Sequence, residues 1–368
     1  MPRATPRRRA EPPSPAPPER REPREAGEAR GPRAWWSRWS RGSAPQVSGR
    51  TKVTIAWVVV GIAVAALVAG MVPVGPGWLP GVGSVAVATT YTWALGARTG
   101  GRPLLTAAAA LLVGVVALVS GSDVLRTGAA VLTCVVSAVL AVMATVPARR
   151  FWEAARECSF ALFVAAIGGL ATVGFEPRVA LLRFEYVTLG LALVGVFLLV
   201  HRLGAGLHGL GRRGVVVVLL GTGVLAITLA YAELLRRYGT PGLVDSLLDV
   251  VRWSRDNLGA FPRPIETVLG VPALVWGCHM RARRRQGWWV CAFGVCATVP
   301  VANALANPSI SLLECALSLI YGALVGLLLG YAVIRADLAL TGPRGRRSRR
   351  AEEAAAGRPE PRRTDALL

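Results

Sequence analysis

A single lysine, three histidines and a shortage of acidic residues set the first limits on this chain of 368 residues. Lys52 is the only lysine, so arginine supplies nearly all of the positive charge. Acids number 21 against 42 basic residues, which leaves a net charge of +21. His201 and His208 sit seven apart in a glycine-rich stretch, and His279 stands alone. No carboxylate or cysteine joins them at metal-ligand spacing, so neither a metal site nor any other cofactor is expected. The sequence also has no G-x-x-x-x-G-K-[ST], no H-E-x-x-H and no G-x-S-x-G. The glycines of Gly204-Ala-Gly-Leu-His-Gly-Leu-Gly211 do not follow a strand, which removes the usual context for nucleotide binding. No catalytic residue is assigned, and the sequence leans away from an enzyme.

Charge itself is scarce. Only 17% of the residues are charged, against about 25% in a soluble domain. Cysteine is limited to Cys134, Cys158, Cys278, Cys291, Cys296 and Cys315, all within or beside apolar runs. A disulfide framework is therefore not indicated, and packed free thiols are expected.

What is present is apolar surface in blocks. Hydrophobic residues make up 53% of the chain and mean hydropathy is +0.47. Crossing about 30 Å of hydrocarbon takes about 20 apolar residues in a helix. Ten segments approach that length: 53–72, 81–97, 103–120, 127–146, 157–175, 184–201, 214–233, 264–280, 287–306 and 309–334. The expected fold is an all-α, polytopic transmembrane bundle of about ten spans, in the bacterial plasma membrane. The segment 81–97 is the weakest of them, because the uncharged loop before it, Val72-Pro-Val-Gly-Pro-Gly-Trp-Leu-Pro80, could be re-entrant.

Charge counting orients the bundle. With the N-terminus inside, the inner loops carry 12 arginines (98, 102, 149, 150, 156, 202, 212, 213, 281, 283, 284 and 285) against Glu153 and Glu157. The outer loops carry 8 arginines balanced by 8 acids, among them Glu233, Asp245, Asp249, Asp256 and Glu266. The difference, about +10 inside and zero outside, follows the positive-inside rule and places both termini in the cytoplasm. Basic residues thus punctuate apolar runs instead of forming a face, and nucleic acid is not expected as a partner.

Residues 1–52 hold 13 basic and 5 acidic residues with much proline and no apolar periodicity, so a disordered basic cytoplasmic tail is expected. Within it, Trp35, Arg38, Trp39 and Arg41 could rest on anionic headgroups of the inner leaflet. Residues 335–368, with 9 basic and 5 acidic residues, read as a second such tail facing the lipid surface. Trp78, Trp93, Trp152, Trp276, Trp288 and Trp289 fall near predicted helix ends, where an amphipathic ring suits the interface.

Three places could carry function. The outer segment 234–263 contains an amphipathic helix, with Val244, Leu247, Leu248, Val251 and Leu258 on one face and Gly259 at its end. Arg236, Arg237, Arg252 and Arg255 in that segment could hold an anionic group. Glu314, inside the last span, with Asn303 and Asn307 four apart before it, could form a polar pocket for a proton or cation. Gly322, Gly326 and Gly330 form a G-x-x-x-G-x-x-x-G run, which serves close helix packing within the chain or between copies in a homo-oligomer.

The block from Arg237 to Gly294, including FPRPIETVLGVPALVWGCHMRARRRQGWWVCAFG at 261–294, resembles a group of actinobacterial polytopic integral membrane proteins of unknown function. The resemblance runs to about Arg350 and implies a membrane location, with no activity or site residues. Three functional classes fit. One is a transporter or membrane-embedded accessory subunit. Another is a lipid-linked glycan enzyme using 234–263, since the layout is similar to that of the shape, elongation, division and sporulation polymerases. The last is a membrane scaffold acting through its basic tails.

Overall fold

The computed structural model describes residues 49–71, 76–178, 180–205, 207–239, 241–284, 286–341, 351, 357 and 360–367. Residues 1–48 of the N-terminal tail with its Trp35–Trp39 anchor, Thr240, and the arginine cluster at 344–350 lie outside the described residues, while residues 49–52 of that expected tail already belong to a helix. Among those described, regular structure is helical throughout. The helices are α1 (Gly49–Met71), α2 (Leu79–Arg98), α3 (Pro103–Val119), α4 (Asp123–Met143), α5 (Phe151–Val173), α6 (Leu181–Val200), α7 (Leu207–Tyr238) and α8 (Pro241–Leu258). They continue with α9 (Val271–Arg281), α10 (Gly287–Ala292), α11 (Val295–Leu305) and α12 (Leu312–Thr341).

Seven stretches among the described residues are helical, long and apolar enough to cross a membrane. They are Thr51–Gly70, Asp123–Met143, Phe151–Val173, Leu181–Leu203, Gly214–Leu235, Gly287–Leu305 and Leu312–Thr341. Each coincides with a predicted span. The weakest predicted span is a continuous helix, α2, of 20 residues. α3 is apolar but has only 17 residues.

The surface also reads as lipid-facing. Leu105, Leu112, Val116, Leu198, Leu219 and Leu328 all stand well exposed on their helices, an apolar exterior that water would penalise. Inside, buried Thr133, Thr172 and Thr188 return their hydroxyl protons to the carbonyls of Ala129, Gly168 and Phe184, one turn back. That satisfies a polar side chain without water.

The centre of the bundle is the α10–α11 rod, 94% buried over its apolar window. Phe293 and Gly294 donate to carbonyls three residues back, which tightens the join between the two helices. Trp288 and Trp289 begin this rod and are buried in it, unlike the exposed Trp78 and Trp152. They stand near a helix start, as the sequence places them, and pack inward, with Trp289 stacked on Phe197 at 5.8 Å.

Ahead of α9 the chain makes a π-turn over Glu266–Gly270. Pro272 explains it. Proline has no N–H to return to the preceding turn and its ring crowds that turn. The backbone widens instead, and Val271 N–H donates to Glu266 O, five residues back. Gly270 then meets α11 closely: a Cβ there would lie 2.5 Å from the Cys296 carbonyl carbon.

The glycine run of α12 packs onto this same segment. Gly322 faces Glu266 and Thr267, Gly326 faces Val271, and Gly330 faces Pro272 and Val275. The close approach is made within one chain.

Candidate functional site

At one end of the bundle the predicted outer residues separate into pairs. Arg252 Nη1 lies 2.8 Å from Asp249 Oδ1, with both side chains exposed on α8. Arg255 Nε lies 3.1 Å from Glu314 Oε1, which joins residues from the two sites the sequence proposes. The side chains of Arg236 and Arg237 lie outside the described residues. α8 ends where predicted, with Gly259 at φ +78° and its N–H donating to Arg255 O.

The three residues of the predicted polar pocket are placed differently from one another. α12 begins at Leu312, so Glu314 sits in its first turn, nearer the helix start than the five residues its position in the predicted span 309–334 implies. Its backbone N–H takes the Ser311 hydroxyl as cap acceptor at 3.1 Å. Asn307 turns into the connecting loop, where its Oδ1 accepts from the Ser309 N–H at 3.0 Å and the Ser309 hydroxyl at 2.7 Å. Asn303 alone is buried, and neither its Oδ1 nor its Nδ2 has a partner.

A carboxylate the sequence does not single out, Glu266, which charge counting assigns to an outer loop, is buried next to this region. It is 1% exposed, and its Oε1 has no hydrogen-bond partner. It stands on the first residue of the π-turn, an irregularity that recurs at functional sites in helices. With Arg263 it lines a cavity of about 170 Å³ between α5, α11 and α12, otherwise walled by Leu170, Pro300, Cys315 and Leu319. Gly322 makes room for the carboxylate, since a Cβ there would lie 2.9 Å from Oε1.

The opposite end of the bundle holds a second concentration of buried charge. Arg98, Glu157 and Arg281 are 2%, 0% and 1% exposed. Arg281 donates through Nη1 to the Thr145 hydroxyl at 2.8 Å and through Nη2 to the Thr145 carbonyl at 3.1 Å. The Trp288 ring covers its guanidinium at 3.5 Å. Glu157 accepts from the Val146 N–H at 3.1 Å. Arg98 donates through Nε to the Met143 carbonyl at 3.1 Å.

Residues 360–367, which the sequence reads as solvated tail, close this end. Glu360 pairs with Arg281 at 2.5 Å. Arg363 donates to both oxygens of Glu157 at 2.8 Å and lies over the Phe160 ring at 3.7 Å. Arg98 Nη1 donates to the carbonyls of Arg362 and Asp365, and the Leu367 N–H donates to Arg98 O. The segment thus offers an acid to a buried arginine and an arginine to a buried acid.

All six cysteines are buried and free. Among the described residues no group of His, Cys, Asp and Glu is placed to hold a metal ion.

Comparison with family models, with curated proteins and with solved structures finds no match. The fold and the site define the class by themselves: an all-α protein with several helices long and apolar enough to cross a membrane, carrying buried ionisable groups inside that bundle.

Proposed function

We propose that this chain is a multi-pass protein of the bacterial plasma membrane, with ten spans and both termini in the cytoplasm. We further propose that it is a transporter, or the embedded subunit of one, in which Glu266 binds and releases a proton or a small cation. Seven apolar helices support the membrane part of the reading. The inner-loop arginine excess supports the orientation. In this reading the continuous α2, the short apolar α3 and the π-bulged α9 segment are taken as the remaining three spans.

One observation carries the functional part: the burial of Glu266 with Oε1 unpartnered beside a cavity. A carboxylate in hydrocarbon is costly unless it is paired or protonated, and such residues mark ion and proton pathways. The arginines of 252–255 give weaker support to a glycan enzyme, because each already pairs with a carboxylate.

A hydrophobic carbodiimide tests this without knowledge of a substrate, since it modifies protonated carboxyls in apolar surroundings. Peptide mass spectrometry of the treated protein is expected to find the adduct on Glu266. Raising the pH or adding the bound cation is expected to suppress it. An unmodified Glu266, or an adduct indifferent to both pH and cations, contradicts the reading.

A further inference from the structure

We propose that the buried arginines at the inner end, Arg98 and Arg281, form a binding site for the oxyanion group of a ligand, which residues 360–367 of the chain itself occupy. The site is separate from Glu266 and does not depend on the transport reading.

The charge balance motivates it. Apart from what the C-terminal segment contributes, the charges buried at this end of the full chain are two guanidinium groups, Arg98 and Arg281, and one carboxylate, Glu157. A buried charge is costly unless it is paired. Glu360 supplies Arg281 with its carboxylate. Arg98 receives no carboxylate among its hydrogen-bond partners. Its acceptors are the carbonyls of Met143, Arg362 and Asp365, and its Nη2 has no partner. A guanidinium 2% exposed with carbonyl acceptors alone is short of an anion. Charge-assisted hydrogen bonds to carboxylate or phosphate are roughly twice as strong as neutral ones.

The surroundings restrict what that anion is attached to. Arg98 and Arg363 line a cavity of about 140 Å³ whose other walls are mostly apolar, including Val53, Trp57, Leu140 and Val164, with Thr90 and Thr364 as the exceptions beside Tyr91. An apolar wall beside a guanidinium suits an oxyanion that carries a hydrocarbon chain. A free phosphate or carboxylate shares the headgroup chemistry but would leave the apolar wall unused.

The C-terminal segment is then the competitor. It meets Arg281 with a side-chain carboxylate and Arg98 with backbone carbonyls, the weaker of the two substitutes. A ligand oxyanion displaces Glu360 from Arg281 and completes Arg98.

Thermal melting of the full-length protein in detergent, titrated with a short-chain phosphatidylglycerol, the matching phosphocholine lipid, and inorganic phosphate, tests the site. The expected result is a saturable rise in Tm with the acidic lipid and none with the phosphocholine. Glu360→Gln removes the competing charge and is expected to tighten that binding by about tenfold. Arg98→Gln is expected to weaken it by at least about tenfold, and Arg98→Lys to restore part of it. A saturable response to inorganic phosphate equal to that of the acidic lipid assigns the site to a soluble oxyanion. Equal responses to the acidic and phosphocholine lipids with none to phosphate overturn the proposal. So does an affinity for the anion that Glu360→Gln leaves unchanged. The Glu360 variant keeps the test decisive where an Arg98 variant fails to fold.

Discussion

Glu157 and Glu266 show how a carboxylate near a span boundary is misread from sequence. Both were countable as loop residues, because each lies within two positions of a predicted span end. Glu157 is inside because α5 starts at Phe151, six residues ahead of the predicted start. Glu153 makes that early start possible by accepting from the Arg149 N–H at 2.7 Å, so that free N–H groups at the helix start find an acceptor. Glu266 is inside because Pro264 and Pro272 bracket a π-turn that draws it into the bundle. The hydropathy of 264–280 made the span legible, but the direction of one carboxylate on an irregular turn has no signature in composition. Two substitutions separate structural from functional roles here. Glu266→Gln keeps the shape and removes the charge, and unfolding in denaturant is expected to show stability within about 1 kcal/mol of wild type. Arg363→Ala leaves Glu157 buried without its principal partner and is expected to cost about 1–3 kcal/mol in the same measurement.

At the scale of elements, apolar runs translated well into helices. The seven long apolar helices each coincide with a run marked in the sequence, since a bilayer forces backbone polar groups to pair within the segment. What the runs did not reveal was which face of each helix meets which neighbour. The glycines of α12 are the clearest case. The spacing of Gly322, Gly326 and Gly330 predicts close packing, but only the fold shows that the π-turn and α9 fill the groove. The contacts grade the expected cost of adding a methyl group. At Gly326 a Cβ would lie 2.6 Å from Val271 Cβ, whereas at Gly330 it would lie 3.3 Å from Val275 Cβ. Gly326→Ala is therefore expected to destabilise by about 1–3 kcal/mol, and Gly330→Ala by less. Gly223, with nothing within 4 Å, is the control. Gly223→Ala is expected to be neutral or to stabilise by about 0.5–1 kcal/mol, because glycine is the poorer helix former. Relative melting temperatures of the three variants check that order.

For the whole molecule, the sorting of charge between the two ends was legible in the sequence, and the clasp of residues 360–367 was not. Glu360 reaches an arginine 79 residues away, and Arg363 reaches Glu157 over a separation of 206. A tail rich in arginine and proline looks solvated when such partners are invisible. The two ends themselves remain the strongest organising feature: Arg98, Glu157 and Arg281 gather at one, and Arg178–Asp123 and Arg255–Glu314 pair at the other. The six native cysteines are all buried, so single added thiols can report sidedness against a low background. The most direct test of a ten-span bundle with a cytoplasmic basic end is labelling of intact cells with a membrane-impermeant maleimide. Asp256→Cys and Arg178→Cys, both exposed in this fold, are expected to label from outside. Arg102→Cys and Arg156→Cys are expected to label only after the membrane is opened. Labelling of Arg102→Cys in intact cells, with Arg156→Cys still protected, would contradict the account by showing that α2 and α3 do not both cross.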